Sequence, residues 1–155
     1  MTAQQVVHDT FVVETAIESA PAEVFGAFAD VRVREEWAAP GGDTIVYEKA
    51  DFRIGGVDVF RCGPKNDQRF HGTVWYHEIV QDQRIVYVES VRVGDEPLSL
   101  ALVKLELLPE RGGTRLRSTN QLMSFTGAQM LADSRSGTRA ALHNLAAWCA
   151  RAASW

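Results

Sequence analysis

Chemistry in this chain would have to come from a handful of side chains. His8, His71, His77 and His143 are the natural metal ligands or proton carriers, yet only His71 and His77 share a strand-like run. Six positions apart, they lie on one face but roughly 20 Å from each other, too far for one metal. No nucleophile elbow, phosphate-cradling glycine loop or zinc pair of cysteines occurs. No metal and no cofactor is therefore expected. Glu89 is sharper. It shares the odd positions of the run 84–93 with Ile85, Tyr87 and Val91, and a carboxylate turned toward an apolar interior is costly unless paired. Arg61, or His77 on the adjoining strand, is its expected partner. A desolvated glutamate titrates upward and can act as acid or base.

Strand alternation extends this face. In 98–108 the odd set is Ser99, Ala101, Val103, Leu105 and Leu107, whereas Lys104 and Glu106 should be wet. In 114–123 the even set is Leu116, Ser118, Asn120 and Leu122, against Arg115 and Arg117. Shared on one side, these sets make an apolar wall with a few polar spots, the usual make-up of a small-molecule site. Tyr87 and Trp75 suit a core as well as a ligand wall. Ser118 and Asn120 could simply satisfy neighbouring backbone groups.

The elements that position these residues follow from the pattern. FVVETAIE over 11–18 alternates as a half-buried strand. Pro21 opens a short helix that Ser19 can cap, and a second helix over roughly 30–36 can be capped by Asp30. Pro40-Gly41-Gly42 punctuates the chain. Six strands are then predicted at 44–50, 57–63, 70–80, 84–93, 98–108 and 114–123, and links this short mean an antiparallel meander. A weakly patterned connector, 124–134, precedes an amphipathic helix over about 135–152, roughly 27 Å long. Its apolar side carries Ala141, Leu142, Leu145, Trp148 and Cys149. Only that helix is long enough to cover the sheet. The fold class is α+β, with a curved antiparallel sheet wrapped around a long C-terminal helix and a hollow between them.

At 155 residues the chain is expected to form one domain, 1–155, that needs no metal or disulfide to fold. A net charge of −4 argues against a nucleic-acid partner. No apolar stretch approaches the roughly 20 residues of a membrane span. MTAQQVVHDT has neither a charged nor an apolar leader region, so no signal peptide is expected. Cys62 and Cys149 read as reduced thiols, which suits the cytoplasm.

Five segments, in order, carry a family resemblance: AFADVRVREEW-AAP, YEKADFRIGG-VDVFRCGP, RFHGTVWYHEIVQDQRIVYVES, LSLALVKLELLPERGGTRLRSTNQ and GTRAALHNLAAW. Together they resemble the SRPBCC (START/Bet v 1-like) superfamily, in the branch named after the activator of Hsp90 ATPase homologue 1. The resemblance runs from about Phe11 to Trp148. It implies a helix-grip fold, β-α-α-β6-α, with a deep pocket that takes apolar molecules such as lipids, sterols or polyketides. Some members are cyclases or hydrolases. The positions carried over are Trp37, Phe60, Tyr76, His77 and Tyr87. The chain departs from its relatives at Asn120, where they usually carry glutamate, at Glu89, where they often carry an aromatic, and at Asp133-Ser134-Arg135-Ser136-Gly137, where acidic residues are usual.

Three functions are compatible with these residues. In the first, an apolar ligand sits among Trp37, Phe60, Trp75, His77, Tyr87, Glu89, Ala101, Val103, Ser118, Asn120, Ala141, Leu145 and Trp148, with no turnover and no catalytic residue. In the second, Glu89 and His77 act as acid and base while Tyr87 or Asn120 polarises a carbonyl, as in a cyclase or hydrolase. The third is an interaction protein, such as an Hsp90-related partner or a toxin–antitoxin-type accessory. There, Leu98, Leu100 and Leu102 form a patch on the wet face that could seat a homodimer.

Overall fold

The computed structural model describes residues 5–153. Seven strands and three helices follow in the order β1 (Val7–Ile17), α1 (Pro21–Ala29), α2 (Val31–Trp37), β2 (Thr44–Lys49), β3 (Val57–Gly63), β4 (Phe70–Val80), β5 (Arg84–Val93), β6 (Glu96–Glu110), β7 (Gly113–Ser124) and α3 (Ala128–Ala153). One antiparallel sheet holds all the strands in the order β1-β7-β6-β5-β4-β3-β2. This is the α+β helix-grip architecture expected from the pattern.

The topology follows from short links. Between β5 and β6 the chain reverses at Gly94 (φ 58°), and between β6 and β7 at Gly112 (φ 85°), conformations that cost glycine little. The meander therefore runs from β2 to β7, and β1 pairs back onto β7 from Val7↔Ser124 to Ile17↔Thr114. The first two strands thus become opposite edges of the sheet. Helices α1 and α2 must carry the chain from one edge to the other, across the mouth of the curved sheet.

Helix α3 packs chiefly on β1 and β7 and against α1 and α2. Two side chains pin it to α2. Asn144 Nδ2 donates to the carbonyls of Trp37 (3.3 Å) and Ala39 (3.0 Å), and Trp148 Nε1 donates to Glu36 Oε2 at 2.6 Å. Beneath this junction the interior is solid: Val24, Leu116 and Leu145 are wholly buried beside Ile17, Leu107 and Cys149.

Three expectations need correction. Helix α3 spans 26 residues, roughly 39 Å at the usual rise, because it begins at Ala128 and not near 135. Ser124 Oγ donates to the Gly127 carbonyl (2.8 Å) and accepts from Thr126 N (3.2 Å), turning the chain within three residues. Leu131 then packs against the core, which outweighs the weak propensity of the serines and Gly137. Ser19 does not cap α1. The cap position is Ala20, with no side-chain bond, and Ser19 is buried, its carbonyl accepting from Thr114 Oγ1 at 2.7 Å. Strand β1 starts at Val7, four residues before the expected start at Phe11. By contrast, Asp30 does cap α2, accepting from Arg32 N at 3.0 Å.

Gly72 matters for the floor of the hollow. A Cβ there would lie 2.0 Å from the tip of the Phe60 ring, which crosses this glycine on the neighbouring strand. Gly72→Ala should therefore push the ring off the sheet and destabilise the protein by about 1–3 kcal/mol in urea unfolding. The loss should shrink in a Phe60→Leu background. Equal losses in both backgrounds would contradict this role.

Candidate functional site

Between the helices and the inner face of β3–β7 lies a cavity of about 510 Å³. That volume falls within the range of small-molecule pockets, about 300–1,000 Å³. Its walls repeat the strand alternation. Ile85, Tyr87, Glu89 and Val91 come from β5, Ser99, Ala101, Val103 and Leu105 from β6, and Ser118, Asn120 and Leu122 from β7. Phe28, Trp37, Ala141 and Leu142 close it from the helices. Pro40 and Asp43 from the turn before β2, and Asp133 of α3, also line it.

Of the residues expected in the site, Trp37, Phe60, Tyr87, Glu89, Ala101, Val103, Ser118, Asn120 and Ala141 line this cavity. Trp75, His77, Leu145 and Trp148 do not. In β4 the inward positions are Gly72, Val74 and Tyr76, so Trp75 (46% exposed) and His77 project from the outer face. Leu145 is sealed in the solid core, and Trp148 lies over α2, bonded to Glu36. The acid–base set of Glu89, His77 and Tyr87 is therefore not assembled, because His77 is on the opposite side of the sheet. Arg61 is no partner for Glu89 either: it is half exposed and faces Glu48 at 3.3 Å.

A buried polar cluster that was not expected anchors one end of the cavity. Arg34 on α2 is 5% exposed and Asp58 on β3 not at all. Arg34 Nη1 donates to Asp58 Oδ2 (2.6 Å) and to the Tyr76 hydroxyl (3.0 Å). Tyr76 in turn donates to Asp58 Oδ2, and Asp58 Oδ1 accepts from the Asp51 backbone N–H at 2.8 Å. The guanidinium lies 4.6 Å from the centre of the Tyr47 ring, a cation–π distance. Burial works against its charge, but the two phenols and Asp58 outweigh it and raise its pKa. Spacing held a signal for this cluster. Arg34 is three residues from Trp37 on a helix, and Asp58 two from Phe60 on a strand, so each shares a face with an inward aromatic.

Glu89 has no such arrangement. Across the strands it faces Val74 and Ala101, and along its own strand Tyr87 and Val91. Among the described residues it has no hydrogen-bond or ion-pair partner. Burial pushes its carboxyl up to about 7. Burial likewise raises the hydroxyls of Tyr47 and Tyr87 above the ordinary phenol value and the Cys62 thiol to about 11. Asn120 Nδ2 turns to Ser118, 3.0 Å from its Oγ and 3.2 Å from its carbonyl, so that pair is largely self-satisfied.

The raised carboxyl implies a pH dependence. Between its ordinary 4.5 and about 7, the folded state holds a proton that the unfolded state releases. Glu89 therefore weakens stability progressively as pH rises through that window. Urea unfolding of Glu89→Gln should show a gain over the parent at pH 8 that nearly vanishes at pH 5. A gain of the same size at both values would contradict an unpaired, half-buried carboxyl.

Comparison with known proteins agrees with this architecture. Residues 18–150 match the family described as Activator of Hsp90 ATPase homolog 1-like protein. The solved structure of the Mll3558 protein from Rhizobium loti is 34% identical, covers 94% of this chain and 99% of its own, and superposes with a TM-score of 0.82. An uncharacterized protein from Rhizobium leguminosarum is 25% identical over 97% of this chain and 99% of its own, with a TM-score of 0.83. Protein CV1439 from Chromobacterium violaceum, 21% identical over 89% of this chain and 94% of its own, shares the fold with a TM-score of 0.80. No curated protein matches. With a helix-grip fold of the SRPBCC (START/Bet v 1-like) kind and a family match over most of its length, the chain belongs to the Activator of Hsp90 ATPase homolog 1-like family.

Proposed function

We propose that the protein binds an apolar small molecule, of the lipid, sterol, polyketide or aromatic class, in the cavity between sheet and helix. The observation that carries this reading is the unfilled volume of about 510 Å³ behind a mostly apolar wall. Core side chains normally interdigitate to close such space. A ligand there gains by removing apolar area from water, about 25 cal/mol per Å². Retention without turnover is favoured, because the cavity brings no acid–base pair to one point. The free thiols Cys62 and Cys149 suit a reducing compartment such as the cytoplasm.

A neutral dye that fluoresces in apolar surroundings tests this. It should bind saturably, and Ala101→Trp, which fills the cavity from the centre of β6, should weaken binding by at least about tenfold. No emission gain, or equal binding by the filled variant, would overturn the proposal.

The outer face supports a second role. Trp75, Leu100, Leu102 and Met123 are 38–46% exposed. Leu102 and Trp75 both flank Val88, while Leu100 faces Met123, so the patch is continuous across four strands. A second copy of the chain could cover it. Light scattering should then give the mass of a dimer, and Leu102→Glu the mass of a monomer. A monomeric parent would overturn this role.

A further inference from the structure

Charge on the inner face is unbalanced. Two carboxylates project inward in one lateral row, Asp58 on β3 and Glu89 on β5, separated by Val74 on β4. That places them two strands apart, roughly 9–10 Å. One guanidinium lines the same cavity, and its ion pair is with Asp58. Arg34 bonds to Asp58 and Tyr76, and its remaining Nε and Nη2 are buried with no partner. Tyr47 and Phe52 lie against this guanidinium at 4.6 and 5.9 Å. Arg34 therefore keeps unused N–H donors at its end of the cavity, but its charge is balanced by Asp58.

Glu89 is the opposite case, a carboxylate on the cavity wall with no hydrogen-bond or ion-pair partner among the described residues. The other ionisable groups lining the cavity do not change the sign. Asp43 precedes β2, Asp133 lies on α3, and Tyr47, Cys62, Tyr76 and Tyr87 are phenols or a thiol held neutral by burial. The lining therefore carries three carboxylates and one already neutralised guanidinium. Aromatic rings add a second attraction for positive charge. Tyr76 and Tyr87 lie edge to face at 6.1 Å, and Tyr47 and Phe60 are tilted at 5.7 Å; ring faces attract cations.

Building on the cavity reading above, we infer that the ligand is an apolar molecule with one protonated amine, and that Glu89 receives the amine. The apolar body occupies the space beside Val103, Leu105 and Leu142, and the ammonium forms a charge-assisted hydrogen bond to the carboxylate. Asp43 and Asp133 on the lining add negative potential, which favours a cation over an anion. An entering amine also removes the cost of an unpaired, half-buried charge, so the carboxylate and its ligand stabilise each other.

Calorimetric titration of the full chain with octylamine, octanol and octanoate separates the two proposals, since the probes share one apolar body. At pH 8.5 octylamine should bind at least about tenfold tighter than octanol, the size of one charge-assisted bond. The ratio should fall toward one in Glu89→Gln. In the parent protein it should also fall at pH 5.5, where Glu89 takes up a proton while the amine stays an ammonium, a readout that needs no variant. Octanol binding as tightly as octylamine, or octanoate binding tightest, would overturn the amine proposal and leave the cavity reading standing. A preference that survives both Glu89→Gln and pH 5.5 would overturn the role of Glu89. Failure of all three probes to bind would overturn both readings.

Discussion

One helix cannot cover seven strands. Helix α3 packs on β1 and β7, the strand pair formed when the first strand closes on the last, and there the interior is solid. Over the inner face of β3–β6 one side of α3, with α1, α2 and the loops, walls the space without filling it. Apolar walls around empty space forgo dispersion contacts that a packed core would make. The fold accepts that loss locally because the sheet and the α3 junction are stabilised elsewhere. A molecule that enters restores the contacts and should raise stability by mass action.

The polar cluster sets the shape of the hollow. Arg34, Asp58 and Tyr76 join α2, β3 and β4, so the helix that bridges the two sheet edges is tied to the sheet floor. Buried ion pairs are weak contributors to net stability, but removing one partner is strongly destabilising. The cluster therefore acts as a positional constraint: α2 can sit in one place, and the cavity end it forms is fixed. Asp58 also holds the Asp51 backbone, which orders the β2–β3 connection. Because the arginine's charge is paired here, Glu89 two strands away is left as a carboxylate with no ion-pair partner among the described residues.

Most of the architecture was legible in the sequence because β6 and β7 alternate between buried and wetter positions, and β5 shares their inward face. Ile85, Val103 and Leu122 announce one face, and Glu89 and Asn120 inherit it by parity. The same rule would have placed Trp75 and His77 outside, since Gly72, Val74 and Tyr76 form the inward set of β4. Their aromatic or titratable character pointed the other way. Arg34 and Asp58 were hidden for a related reason: charged residues read as solvated unless a partner is visible, and their partners lie 24 residues apart. The start of α3 was obscured by Ser134, Ser136 and Gly137, whose low helix propensity is overridden by packing of Leu131. Ser19 lost its capping role to a tertiary contact with Thr114. No periodicity encodes either effect.

The most direct test of a hollow, ligand-accepting interior is methyl-resolved NMR during titration with a neutral alcohol such as octanol. Saturable shifts should be confined to inward methyls, among them Val74, Val91, Ala101, Val103, Leu105 and Leu142. Unmoved methyls there, or shifts concentrated at Leu100, Leu102 and Met123 on the outer face, would contradict the account.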